Sequence, residues 1–365
     1  MTHDGARPDS GRSSRLSKSF GWLRTNLFNS PFSSVVTLVT IWLIAKVTIA
    51  FFDWAVTRAV VDAKTAADCR APDAGACWSF IEEKWRFILF GIYPADQHWR
   101  PAVVVVLIIG LLVAGCYRRL WGWPLAALWT MGMTAVFVLM WGGVFGMPFV
   151  ENTSWGGLPL TLIIAMVGMI AGFPLAVALA LGRRSNLPAI RALCVGFIEL
   201  VRGVPLISVL FMASVMLPLF LPRDVTVDKL LRALVGYSLF FSAYLAEAIR
   251  GGLQAIPKGQ YEAADSLGLG YWQKTFKIIL PQALKLVIAP MVNNFIGQFK
   301  DTSLVIIIGI FDLMMTARTS LSDPSWLGFY REAYLFIGVI YFTFCFFMSR
   351  YSLWLEAHLH RGHRR

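Results

Sequence analysis

Long apolar runs, broken by short polar and often basic connections, set the rhythm of this chain. Phe32 to Phe52 is the first run, of about the 20 residues a helix needs to cross the hydrocarbon of a bilayer. Pro101 to Tyr117, about Leu125 to Phe145, and residues 158–181 follow as further runs. Residues 190–222 are too long for one straight span, and Gly203 with Pro205 mark a bend. A helix near the cytoplasm through Glu199 and Arg202 is predicted there, then a span from Pro205 to Leu221. Leu230 to Ile249 comes next, then residues 283–310, interrupted by Pro290, Asn293, Asn294, Gly297 and Gln298, and last Glu332 to Arg350. The pattern predicts an all-α polytopic membrane protein with eight spans.

The connections orient these spans. Arg7, Arg12, Arg15, Lys18 and Arg24 in residues 1–31, Arg118-Arg119, Gly182-Arg183-Arg184, and the tail Arg361, Arg364 and Arg365 place both termini in the cytoplasm. The loop 53–100, Gly146–Gly157, Arg223–Lys229 and residues 311–331 then lie outside. The loop 53–100 mixes acids and bases with Trp78, Trp85 and Trp99, and its 78–91 part reads as a helix lying on the membrane face. Composition agrees with a membrane protein: 57% hydrophobic and 15% charged over 365 residues, with mean hydropathy +0.63. The formal charge of +12 collects in inner connections, so it does not point to nucleic acid. The N-terminus lacks a small-residue cleavage site after its first apolar run, so residues 1–31 read as a cytoplasmic tail before an uncleaved span. The five Cys have no metal-ligand spacing. Cys69 and Cys77 in the external loop either form a small disulfide loop or remain two thiols.

One stretch, Glu247 to Pro281, is polar and lies between two spans, on the cytoplasmic side by the charge rule. Pro257 and Gly259 fit a break and re-entry into helix, with Glu262 near the start of the new helix. Ala263, Ala264 and Leu267 make a small, flat face, followed by a Gly-containing turn. Such a helix suits docking into a groove of another protein at the membrane surface. There is no G-x-x-x-x-G-K-[ST] phosphate loop, so the chain is not an enzyme by itself, and active transport would draw its energy from elsewhere.

Polar groups inside spans are costly and face protein or water. Asn293, Asn294, Gln298, Lys300 and Asp301 form the strongest internal cluster: they line a solute pathway or serve as helix–helix glue. Glu199 with Arg202 and Glu247 with Arg250 sit near inner helix ends, as a gate or as local charge pairs. Tyr244, Ser242 and Ser238 lie roughly on the face of Glu247 and could add hydrogen bonds to the pathway. His358, His360 and His363 in the tail read as a basic, interface-facing end rather than a metal site.

Residues 262–281, EAADSLGLGYWQKTFKIILP, resemble the EAA motif of the membrane subunits of bacterial ATP-driven importers, with Gly268 six positions after Glu262 and a closing Leu-Pro. Glu199 to Leu206, Tyr244 to Gly252 and Lys300 to Leu304 look like the polar amino acid (histidine/glutamine) permease branch of that family, and the resemblance covers about residues 154–356. It implies a type I, MetI-like ABC importer transmembrane domain of five spans over residues 158–356, a basic tail over 357–365, and an N-terminal extension over 32–157 with three added spans. It implies that Glu262 to Lys274 form a coupling helix, with Glu262, Ala263, Ala264, Gly268, Gly270 and Lys274 at an interface with ATP-binding cassette ATPase subunits. ATP and Mg would be used by that ATPase and no cofactor would be bound by this chain. A periplasmic amino-acid-binding protein would deliver L-amino acids, and Asn293, Asn294, Gln298 and Tyr244 would line their pathway. The extension is similar to the broad-specificity L-amino acid permeases that pair with a second, related permease chain, which implies a heterodimer in the lipid of a bacterial inner membrane. The competing reading is a channel or structural subunit of another membrane complex.

Overall fold

The computed structural model describes residues 15–222 and 226–360. Arg7, Arg12 and Arg223, and His363, Arg361, Arg364 and Arg365 of the expected tail, lie outside the described residues. Among these, all the named elements are helical. The chain forms two compact units that divide between Ser79 and Phe80, inside the stretch expected to be one external loop.

The first unit holds α1 (Arg15–Asn26) and α2 (Pro31–Phe52), the latter continued by a π turn to Thr57. Ser30 caps α2 by accepting from the Ser33 amide at 3.1 Å, and Pro31 presets the first helical φ. No residue of α2 is buried, and the helix is apolar all round, as a lipid-facing segment must be. Beyond it the chain folds back: the Ala76 amide donates to Trp54 O at 2.8 Å, and the Trp78 indole to Ala55 O at 2.9 Å. Cys69 and Cys77 are joined by a disulfide across this fold.

In the second unit α3 (Trp78–Phe90), α4 (Trp99–Gly115) and α5 (Trp123–Trp141) precede the long α6 (Gly157–Arg183). Then come α7 (Pro188–Gly203), α8 (Leu206–Phe211) and α9 (Leu217–Phe220), the last two joined by a π turn, and the long α10 (Lys229–Ala255). Next are α11 (Lys258–Ser266), α12 (Tyr271–Lys274) and α13 (Leu280–Leu286), followed by α14 (Ile288–Asp301), which tightens to 3-10 helix as far as Ile308. The last two are α15 (Leu313–Ser320) and α16 (Tyr330–His360). Across both units five helices are long and apolar enough to cross a membrane, or seven segments if each of two bent pairs counts as one span. The α7/α8–α9 pair bends by 104° and the α12–α13/α14 pair by 69°. Val204, before Pro205, takes extended backbone because the ring excludes the helical conformation there.

The core is built on α6, which packs lengthwise against α10. Leu160, Leu162, Ile163, Ile164, Ala176 and Ala180 are buried, and the small residues let the helices approach closely. A Cβ at Gly172 would lie 2.6 Å from the Phe241 ring, and one at Gly252 would lie 2.5 Å from the Ala283 carbonyl oxygen. α10 runs past Ile249, the expected end of the span, through Gly251-Gly252 to Ala255, because packing against α13 rewards the continued helix and neither glycine outweighs it; the expected break at Pro257 follows.

The 78–91 segment is helical as expected, yet its inner face lies within protein rather than on a membrane face. Phe80 and Ile88 are fully buried, with Phe80 stacked 5.9 Å from Phe329. Thr316 Oγ1 donates to Ile88 O at 2.7 Å, and the Gly157 amide to Phe311 O at 2.8 Å. Gly157 has φ +67 and abuts the Leu89 carbonyl, where no other residue fits. Lys84 bridges to Asp323 at 2.7 Å and holds that carboxyl below its usual range. Arg100, expected at the end of a solvated loop, is fully buried. Its guanidinium donates to the carbonyls of Leu139, Met140 and Pro148, capping the C-terminal end of α5 where the helix dipole favours a cation.

Candidate functional site: a polar cavity above an ionic cluster

α10 presents Tyr237, Phe240, Phe241 and Tyr244 at i, i+3, i+4 and i+7, one helical face. α14 presents Asn293, Asn294, Gln298 and Asp301 toward it, and between them, with Leu206 at the start of α8, lies a cavity of about 380 Å³. Four of its lining residues are aromatic, two of them tyrosines, and its other polar side chains are three amides and one carboxylate. That is the mix of apolar body and few polar groups that orients a small solute.

Gln298 is the unusual member. It is 5% exposed, and neither its Oε1 nor its Nε2 has a hydrogen-bond partner among the described residues. Its backbone carbonyl accepts from the Tyr237 hydroxyl, which fixes the height of α14 against α10. A Cβ at Gly168 would come within 2.4 Å of Gln298 Nε2, so α6 leaves room for the side chain by having none. Asn294 Nδ2 donates to Pro290 O at 2.9 Å, one turn back in its own helix. Lys300, grouped with these residues in the sequence, is exposed and does not line the cavity. Ser238 and Ser242 do not face it either; their hydroxyls donate to Leu234 O and Leu239 O of their own helix.

Of the two expected local pairs Glu247–Arg250 forms, whereas Glu199–Arg202 gives way to a cross-helix cluster. Glu199 pairs with Arg183 of α6 at 2.9 Å, whereas Arg202 reaches Glu247 at 3.9 Å. Glu247 also bonds Arg183 and, at 2.9 Å, Arg250. The sharp bend after α7 turns Arg202 toward α10, which is why the i, i+3 partner in sequence is not its partner in space. Tyr244 joins the two regions, with Arg202 lying 5.5 Å over its ring. Arg183, the bridge between both glutamates, was legible in the sequence only as the end of a span.

The helix expected over Glu262–Lys274 is shorter and starts earlier. α11 begins at Lys258 after Pro257, so Glu262 sits in its middle rather than in its first turn. It ends in a Schellman motif: the Leu269 amide donates to Ala264 O at 3.2 Å and the Gly268 amide to Asp265 O at 2.9 Å, with Gly268 at φ +71. Gly270 precedes α12 as its extended N-cap, and Lys274 there pairs with Asp265 of α11. Ala264 is buried and Ala263 exposed. Opposite this turn Tyr261 accepts from Arg184 at 3.0 Å.

The structure thus combines two bent helix pairs and long packed apolar helices with a polar chamber between α10 and α14. The family model for the binding-protein-dependent transport system inner membrane component matches residues 168–361. The inner membrane amino-acid ABC transporter permease protein YhdY of Escherichia coli K12 is 51% identical over 98% of this chain and 96% of its own length. The glutamate/glutamine/aspartate/asparagine transport system permease protein BztC of Rhodobacter capsulatus is 38% identical over 94% of each chain. A crystal structure of an amino acid ABC transporter with histidines aligns at 30% identity and TM-score 0.49, over 55% of this chain and 92% of that one. The chain belongs to the family of binding-protein-dependent transport system inner membrane components. It is a multi-pass permease of the inner membrane, and ATP hydrolysis belongs to a separate subunit.

Proposed function

We propose that this permease carries L-amino acids inward through the α10/α14 cavity by alternating access, driven by ATPase subunits that dock on α11. The unpartnered Gln298 amide carries this reading. A buried amide with both ends unmet is costly in an empty chain, and a solute with a carboxylate and an ammonium would meet its donor and acceptor together with Asp301 and Asn294. Similarity to permeases named for amino acid transport supports the substrate class.

The topology that goes with it has eight spans: the five long helices, the two bent pairs and the shorter apolar α4. Both termini face the cytoplasm, in keeping with the basic inner connections. Residues 158–356 act as the five-span permease core, followed by a basic end over 357–365, and residues 32–157 as an N-terminal extension with three further spans after a tail over 1–31. Glu262, Ala263, Ala264, Gly268, Gly270 and Lys274 make the ATPase-facing surface, with the Schellman turn fixing its exit. The cluster around Glu247 serves as the inner gate, which Tyr244 links to the cavity. A periplasmic binding protein delivers the solute, and the resemblance to the broad-specificity branch supports pairing with a second, related permease chain.

Replacing Gln298 or Asn294 by Leu is expected to lower uptake by roughly tenfold, the loss of about one hydrogen bond to a charged group, with the complex still assembled. Competition by acidic, basic and neutral amino acids, measured on the purified complex in vesicles, checks it. Unchanged uptake and unchanged competition in both variants would remove the cavity from the pathway.

A further inference from the structure

A second cavity, of about 880 Å³, opens at the inner ends of α6, α7 and α10. Its lining includes Arg183, Arg184, Arg191 and Arg250 and no acidic residue. Two of these guanidiniums are committed to Glu247 in the cluster described above. The other two are not. Arg184 donates to neutral acceptors, Leu253 O at 2.8 Å and Tyr261 Oη at 3.0 Å, and the exposed Arg191 side chain has no polar partner among the described residues. α7 also starts here, at Pro188, without a side-chain cap, so the positive end of a 16-residue helix points into the same basin. Two guanidiniums without a carboxylate partner, an uncapped helix start and no carboxylate in the lining suit an anion.

The size and surroundings of the basin indicate which anion. Its volume exceeds what a bare phosphate fills. Outside it, α7 exposes Ile190, Leu193 and Leu200 at i, i+3 and i+10, a stripe suited to acyl chains. We propose that the basin binds the phosphate of an anionic glycerophospholipid, with the acyl chains lying along this stripe. The phosphate would take the open donors of Arg191 and Arg184. Because Arg184 also holds Tyr261 of α11, the lipid would steady the segment that docks the ATPase.

The test uses the purified full complex with wild-type permease, Arg191→Gln or Arg184→Gln. Each complex is exchanged into vesicles of zwitterionic lipid with or without anionic phosphatidylglycerol, and co-purified lipid is measured by native mass spectrometry. The wild type should retain anionic over zwitterionic lipid, and each substitution should weaken retention by roughly fivefold, more at low than at high salt. Equal retention in all three proteins would overturn the proposal. So would displacement of the lipid by millimolar inorganic phosphate, which would assign the basin to a free anion. Arg191→Lys, which keeps the charge, should restore part of the retention if the basin is intact and none if the effect is a folding defect. The readout does not depend on which side of the membrane the basin faces or on which solute is carried, so it can fail while the transport reading stands, and the reverse.

Discussion

The cavity between α10 and α14 and the ionic cluster just inward of it are neighbours with opposite electrostatic habits. In the cluster every charge is met: Glu247 touches three arginines and Arg183 touches two glutamates. In the cavity the Gln298 amide has no partner among the described residues. Satisfied buried charges hold helices in one arrangement, whereas an unmet polar group lowers the stability of the empty state and is relieved only by something that enters. On the proposed function, the first region switches as a whole and the second receives the solute.

Breaking the hub is expected to have the largest effect. Glu247→Ala leaves Arg183 and Arg250 facing each other across a partly buried site, and should cost about 2–3 kcal/mol, seen as a lowered unfolding midpoint of the purified permease. A midpoint within a degree of wild type would mean that the cluster is solvated and the contrast with the cavity is false.

Asp312, at the start of α15, sharpens the comparison. It is fully buried, its Oδ1 accepts from the Met315 amide to cap α15, and burial pushes its carboxyl up to about 7. A carboxyl raised in the folded protein holds its proton after the unfolded chain has lost it. Stability should therefore fall as pH rises from about 4 to about 7 and level off above that. Asp312→Asn keeps the cap acceptor and should flatten this slope, as unfolding midpoints from pH 5 to 8 would show. An unchanged slope would place its origin elsewhere.

Gly268→Ala meets open space but a left-handed backbone, so it should cost about 1 kcal/mol at the end of α11. Ala at Gly270, which has ordinary φ, should cost less. Uptake per ATP hydrolysed by the two variants in the full complex checks this, and equal ratios would separate the Schellman turn from coupling. The smallest stability effect should come from Gln298→Met. Removing an amide that has no partner is expected to leave the unfolding midpoint unchanged or slightly raised while uptake falls.

The apolar runs, the basic inner connections, the Pro-driven bend at Val204 and the polar face of α14 are local properties, and they can be read without the fold. Hydrocarbon length, charge placement and proline sterics act within a few residues of one another. The EAA stretch was legible through its resemblance to the importer motif, although its helix starts four residues before Glu262 and ends at Ser266. Partnership was not legible. Glu199 and Arg202 are three residues apart yet bond to different helices, and Arg100 looked like loop charge until three carbonyls from α5 and its exit surrounded it. Tyr237 and Phe241 were ordinary span residues until Gly168 and Gly172 let α6 press them toward α14. Close approach of helices is set by which small residues face each other across the whole packed core, a long-range condition that no window of sequence contains. The sequence by itself determined the apolar spans and, through the resemblance its EAA stretch carries, the permease family; the tertiary structure decided which charges meet and which amide has no partner among the described residues.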